Sequence, residues 1–255
     1  MEEKLFFPHP LGTKLCGILN DADKDTNSSI IILVHGFTSN KNTSSFTRII
    51  ENLTKAGIAT FRIDLYGHGE SEGDFADITI TKGKDSVLAT VEFLKTKDYS
   101  KIGLLGSSFG GISGLMAASQ TQDLFCLGLK SPVSDWMKNT YMQTPGLLEK
   151  WEKDGFIYYD SEESKPRLNY SLVEDVAKNN PYEEASKITI PTLVVHGDAD
   201  EVVPYETSVK LVSLMPSAKL HIVKGANHVY SSDLKHFEEM TEVFSEFFIE
   251  ESKKI

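Results

Sequence analysis

Residues 106–111 read GSSFGG, and one of the two adjacent serines could attack an electrophilic carbon. A serine hydroxyl is a weak nucleophile at neutral pH. It needs a base, a group to orient that base, and donors for the oxyanion that forms. The match to Gly-x-Ser-x-Gly is Gly106-Ser107-Ser108-Phe109-Gly110, with the apolar run KIGLL before it and ISGLMAA after it. Between a strand and a helix, this pattern puts its middle serine on a sharp turn whose glycines admit close backbone approach. That context selects Ser108 over Ser107 and sets its hydroxyl at a helix N-terminus, where the dipole favours an anion.

Seven histidines compete for the role of base. His9 falls in a turn, His221 inside a strand and His236 on a surface helix. His35, His68 and His196 lie at the carboxyl ends of strands and read as loop braces. His228, in VKGANHVYS, follows the last strand and precedes the last helix. Its loop can swing a side chain over the sheet edge, so His228 is the expected base. The acid belongs on the loop after an earlier strand. HGDADEVVP offers Asp198, Asp200 and Glu201 there, and Asp135 is a fourth option. Aspartate is also common in turns and at helix N-caps, and Asp198 reads as a support for the turn itself.

The elements that must position these groups alternate along the chain. SIIILVHG is a continuous apolar run ending in glycine, as a strand buried on both faces should look. SSFTRIIENLTKAG carries Phe46, Ile49, Ile50 and Leu53 at helical spacing, with Gly57 as its stop. Two short strands around a Pro/Gly turn are expected in KLFFPHPLGTKLCGIL. Further strands are expected in IATFRID, KIGLLGS, LFCLGLKS, TLVVHG and AKLHIVKG. Helices are expected in TKGKDSVLATVEFLKTK, SFGGISGLMAASQ, YETSVKLVSLM and DLKHFEEMTEVFSEFFIEE. This alternation implies an α/β fold with a mostly parallel, eight-stranded sheet covered by helices on both faces.

Residues 132–187 break the rhythm, with prolines, both tryptophans, many aromatics and no clear strand. They read as a cap inserted into a core made of 1–131 and 188–255. Its aromatics suit a small satellite core or a pocket lining, with Trp136, Tyr158 and Tyr159 as candidate substrate contacts. Gly146 and Gly155 could let it move.

The net charge of −11 disfavours nucleic acid and anionic membranes as partners. Cys16 and Cys126 are expected to be buried and reduced, and there is no CxxC metal spacing, so neither a metal nor a cofactor is expected. MEEKLFFPHP lacks a basic start followed by a long apolar run, and no run approaches the ~20 apolar residues of a membrane span. A cytoplasmic monomer or homodimer with a small-molecule partner is the resulting expectation.

Taken together, HGF, DLYGHGESEG, GSSFGG, HGDADEVVP and NH resemble the α/β-hydrolase superfamily, in order and over nearly the whole chain. The resemblance implies that the Asp of His-Gly-x-x-Asp-x-x-Val-Pro, here Asp200, is the acid of a Ser108–His228–Asp200 triad. It also implies that the backbone N–H groups of Phe37 and Phe109 bind the oxyanion. HGFTSNK, DLYGHGESEG and HGDADEVVPYETSVK look like bacterial cinnamoyl and feruloyl esterases with a short cap. That resemblance implies a carboxylesterase in which a cap residue holds a phenolic hydroxyl, with Tyr158, Tyr159, Asp160 and Tyr170 as candidates by type. GHGESEG also resembles monoacylglycerol lipases, and HGDADEVVP resembles prolyl-oligopeptidase-type peptidases. A peptidase would need an acidic residue for a free α-amine, such as Glu149, Glu152, Glu162 or Glu163. A thioesterase would need basic residues for coenzyme A phosphates. A non-catalytic binding protein of this fold would have lost a triad member, and all three positions are filled.

Overall fold

A computed structural model of the chain describes residues 2–21, 28–159 and 166–255. The chain opens with the hairpin β1 (Glu2–Pro8) and β2 (Lys14–Asn20), followed by β3 (Ile30–Val34), α1 (Ser44–Lys55) and β4 (Ala59–Ile63). Next come α2 (Ile80–Lys95), β5 (Ile102–Ser107), α3 (Phe109–Ala118) and β6 (Leu124–Lys130). A run of short elements follows: α4 (Leu147–Asp154), β7 (Phe156–Tyr158), β8 (Arg167–Asn169), α5 (Ser171–Val176) and α6 (Pro181–Ala185). The alternation then resumes with β9 (Thr192–Gly197), α7 (Glu206–Ser213), β10 (Ala218–Val223) and α8 (Leu234–Ser252).

Eight strands form one sheet in the order β1-β2-β4-β3-β5-β6-β9-β10. β2 runs antiparallel to β1 and β4, and the remaining pairs are parallel. Every residue of β3, β5 and β9 is buried, as their apolar runs require for strands covered on both faces. The buried residues of α1 are Phe46, Ile49, Ile50 and Leu53, the stripe its spacing marks out. They pack with Met240, Phe244 and Phe248 of α8 against one face of the sheet. Val87 and Val91 of α2 and Ile112 and Leu115 of α3 cover the other. Each such side chain contributes roughly 1.5–3 kcal/mol by leaving water. This is the α/β-hydrolase fold.

The chain leaves β3 for β4 on one side and returns to β5 on the other. The loops at the carboxyl ends of β3 and β5 therefore part, and the crevice between them is where ligands bind in open parallel sheets.

One expectation needs correction. The sequence between β6 and β9 shows no clear strand, yet β7 and β8 pair as an antiparallel ribbon. Three residues are too few to register as alternation in sequence, although Ile157 and Leu168 do point inward. They join Ile78, Met142, Leu147, Trp151 and Leu172 in a third apolar cluster. Trp151 is fully buried, and its indole N–H donates to the Leu168 carbonyl at 3.0 Å. Gly146 and Gly155 both take φ +74 at the two ends of α4, and at the C-terminal end this left-handed conformation caps the helix, the Gly155 N–H donating to the Trp151 carbonyl. Cys16 and Cys126 are buried free thiols, and burial raises the pKa of both. Among the described residues no helix is long and apolar enough to cross a membrane.

Candidate active site

β5 runs into α3 through a single residue, Ser108, held at φ +53 and ψ −110. A side chain rarely adopts this backbone, and it persists only where the surroundings over-determine it. They do so here. A Cβ on Gly106 would lie 2.3 Å from the Gly110 carbonyl oxygen, and one on Gly110 would lie 2.3 Å from that of His35. The Ser108 N–H donates to the carbonyl of Lys130 at 2.8 Å, tying the turn to the end of β6.

The loop after β10 brings His228 Nε2 to 3.0 Å from Ser108 Oγ. His228 Nδ1 lies 2.7 Å from Asp200 Oδ2, from the loop after β9. The Asp200 carboxylate is fully buried. Burial by itself would raise its pKa, but hydrogen bonds from His196 and His228 more than reverse this and hold it well below the usual carboxylate range. Its Oδ1 also accepts the N–H groups of Val202 and Val203, at 2.9 and 2.8 Å.

The other acid candidates stand apart from the imidazole of His228. Asp198 accepts from Lys224 Nζ at 2.9 Å and from the Gly225 N–H at 2.6 Å, the turn-supporting role read for it. Glu201 meets His228 only through the backbone, accepting its N–H at 3.3 Å. Asp135 begins the short turn Trp136–Lys138.

Gly36, after β3, sits against the serine, and a Cβ there would lie 3.2 Å from Ser108 Cβ. His35 Nδ1 donates to the Gly36 carbonyl at 2.7 Å, and its Nε2 accepts the Leu65 N–H at 3.1 Å. Burial, aided by nearby His68, pushes His35 down to about 3, so it brings no charge. Because C=O and N–H point opposite ways across a trans peptide, holding the Gly36 carbonyl also fixes the direction of the Phe37 N–H. Among the described residues, no group accepts from the N–H of Phe37 or of Phe109.

A cavity of about 290 Å³ opens at Ser108 and His228, walled by Phe37, Phe109, Trp136, Tyr141, Met142 and Tyr159 among others. Phe37 is its hub, with ring centroids 5.1 Å from Tyr159, 5.8 Å from Phe109 and 6.2 Å from Trp136. Trp136 and Tyr159, two of the candidate substrate contacts, line this cavity. Tyr158 does not line the cavity. It shares a strand face with Phe156, at 5.7 Å between rings, and one step along the chain turns Tyr159 inward instead. Tyr170 packs edge-on against Trp151. Glu149 and Glu152 are exposed, while Asp160, Glu162 and Glu163 lie outside the described residues.

Two residues of this neighbourhood were not singled out for it in the sequence. His196 reaches the Asp200 carboxylate, a contact its four-residue spacing could have suggested. Lys130 is buried beside His228, and its one signal is a lone cation ending an apolar strand. Away from the cavity, ligand atoms of Cys16, Asp64 and Glu70 lie within 4.8 Å of one another. The ammonium of Lys41 bonds both carboxylates there and supplies the positive charge that a metal ion would bring.

Comparison with known proteins fits this geometry. The sequence profile of the prolyl oligopeptidase family matches residues 44–254. Est1E from Butyrivibrio proteoclasticus, solved with ferulic acid bound, is 30% identical and superposes with a TM-score of 0.85 over 97% of this chain and 98% of that one. Lipase 1 of Psychrobacter immobilis is 28% identical over 230 residues, covering 78% of this chain and 71% of that one. The mitochondrial palmitoyl-protein thioesterase ABHD10 of Bos taurus is 26% identical over 208 residues, 78% of this chain, which spans 66% of that protein's length.

Proposed function

The chain belongs to the prolyl oligopeptidase family, and from that membership and the geometry around Ser108 we propose that it is a serine carboxylic-ester hydrolase acting on small-molecule esters. The observation that carries this reading is the unbroken relay from Ser108 Oγ to His228 Nε2 at 3.0 Å and from His228 Nδ1 to Asp200 Oδ2 at 2.7 Å, at the mouth of an aromatic cavity.

In this reading Ser108 Oγ attacks the ester carbonyl carbon while His228 Nε2 takes the hydroxyl proton. Asp200 keeps the His228 proton on Nδ1, so that Nε2 is free to accept, and stabilises the imidazolium. The carbonyl oxygen becomes an oxyanion held by the N–H groups of Phe37 and Phe109. As the tetrahedral species collapses, His228 passes its proton to the leaving alcohol, and the acyl group stays on Ser108. Water then attacks the acyl-enzyme, His228 takes its proton, and the acid departs as Ser108 recovers its hydrogen. Residues 132–187 act as a cap that places Trp136 and Tyr159 against the substrate.

An ester is favoured over a peptide because the cavity is mostly apolar, and no carboxylate stands among its described lining residues to hold a free α-amine. The names of two relatives, a lipase and a thioesterase, point the same way. The family's name keeps a peptidase as the second reading. A panel of p-nitrophenyl esters, methyl ferulate and aminoacyl-p-nitroanilides, with Ser108→Ala as the blank, separates the two. Ester cleavage that disappears in the blank supports the proposal, and preferential anilide cleavage selects the peptidase.

A further inference from the structure

Lys130 ends β6 with its side chain inside the protein, and only 4% of the residue is exposed. Its ammonium forms no salt bridge among the described residues. Instead Nζ donates to the backbone carbonyl of His228 at 3.2 Å and sits 4.7 Å from the centroid of the Tyr230 ring. The His228 N–H, at the other side of the same residue, meets the Glu201 carboxylate at 3.3 Å. The residue that carries the base is thus held by an anion at its N–H and a cation at its carbonyl.

The backbone around this contact is strained. Ser131, next to Lys130, has φ +41, and Tyr230, two residues after His228, has φ +60. The Ser131 and Tyr230 hydroxyls lie 3.2 Å apart, and Tyr230 is fully buried. A buried ammonium without a carboxylate partner is costly, and an apolar side chain of similar length would fill the space at less cost. Burial pushes Lys130 down to about 8, with the Asp200 charge acting in the opposite sense. A group retained against stability beside a reacting centre has a role there to explain it.

We propose that Lys130 is a positioning residue for the base: through the His228 carbonyl it holds the imidazole in register between Ser108 and Asp200. The inference rests on the Ser108–His228–Asp200 reading above.

Lys130→Met and Lys130→Gln, measured beside the parent and Ser108→Ala, test this on the best ester of the panel. Lys130→Met is expected to melt no lower than the parent and to lose about 10- to 100-fold in kcat, with KM little changed, because the base is misplaced. Lys130→Gln keeps an N–H donor without the charge. It is expected to recover most of kcat, a rescue that simple loss of packing would not produce. Parent kcat in both variants would overturn the proposal. So would a loss of activity that follows only a lowered melting temperature. Activity retained by Ser108→Ala would instead refute the site reading on which the inference stands.

Discussion

His196 donates to the same carboxylate oxygen of Asp200 that partners His228: the two imidazoles stand 3.0 and 2.7 Å from Oδ2. The proton on His196 is placed by its other contacts. Nε2 also faces the Val203 carbonyl at 3.0 Å, so it must carry hydrogen, and Nδ1 accepts from the Ser208 hydroxyl at 2.7 Å. A fully buried, loop-bracing histidine therefore also orients the Asp200 carboxylate. Replacing His196 with Leu removes a donor from a buried carboxylate and leaves the Ser208 hydroxyl without its acceptor. Each such loss costs about 1–3 kcal/mol. Urea unfolding should show a destabilisation of at least about 2 kcal/mol, with kcat reduced as the carboxylate gains freedom.

The two aspartates of HGDADEVVP should respond very differently to the same change. Asp198 serves Lys224 and Gly225, and Asp200 serves His228. Asp200→Asn leaves the shape intact but favours the wrong imidazole tautomer, and kcat should fall by about 10³- to 10⁴-fold. Asp198→Asn should stay within about threefold of the parent, since it only weakens an exposed contact. Steady-state kinetics on one ester settles the comparison, and equal losses in the two variants would contradict the assignment.

Asp200 also sets a direction for acid stability. Its pKa is depressed in the folded protein, so the unfolded chain binds its proton first as pH falls. The stability it contributes is complete above the unfolded value of about 4 and is lost only as pH drops below that toward the folded value. Unfolding free energy measured from pH 6 down to pH 3 should decline less steeply in Asp200→Asn than in the parent.

Lys41 and Asp64 form an ion pair with both side chains essentially buried, joining the loop after β3 to the loop after β4. Asp64 also accepts the N–H groups of Lys41 and Glu70, at 2.7 and 2.8 Å. Lys41→Met would strand the carboxylate, and breaking one side of such a pair costs about 3–5 kcal/mol. The double variant Lys41→Met/Asp64→Leu should recover part of that loss in chemical denaturation, because it removes the stranded charge.

How much of this was legible in sequence depended on the length of the pattern. The parallel strands announce themselves as apolar runs such as IIILV, and the turn at Ser108 as glycines flanking a serine. The choice among Asp198, Asp200 and Glu201 was not legible from residue type, since all three suit a turn. It needed the resemblance to a family and then the distances. Tyr158 and Tyr159 are adjacent and alike, and only the three-residue strand β7 decides which faces the cavity. Lys130 gave almost no signal. A lysine ending a strand usually reaches solvent, and this one is buried because the loop carrying His228 and Tyr230 folds over it.

The central claim is that Ser108 is the nucleophile, and covalent trapping tests it most directly. The protein would be treated with a fluorophosphonate, digested, and mapped by mass spectrometry. The account predicts one phosphonyl group, carried by the peptide containing Ser108, with no labelling of Ser108→Ala and slow labelling of His228→Ala. Modification at another residue, or an unlabelled Ser108 in folded protein that still hydrolyses esters, would contradict it.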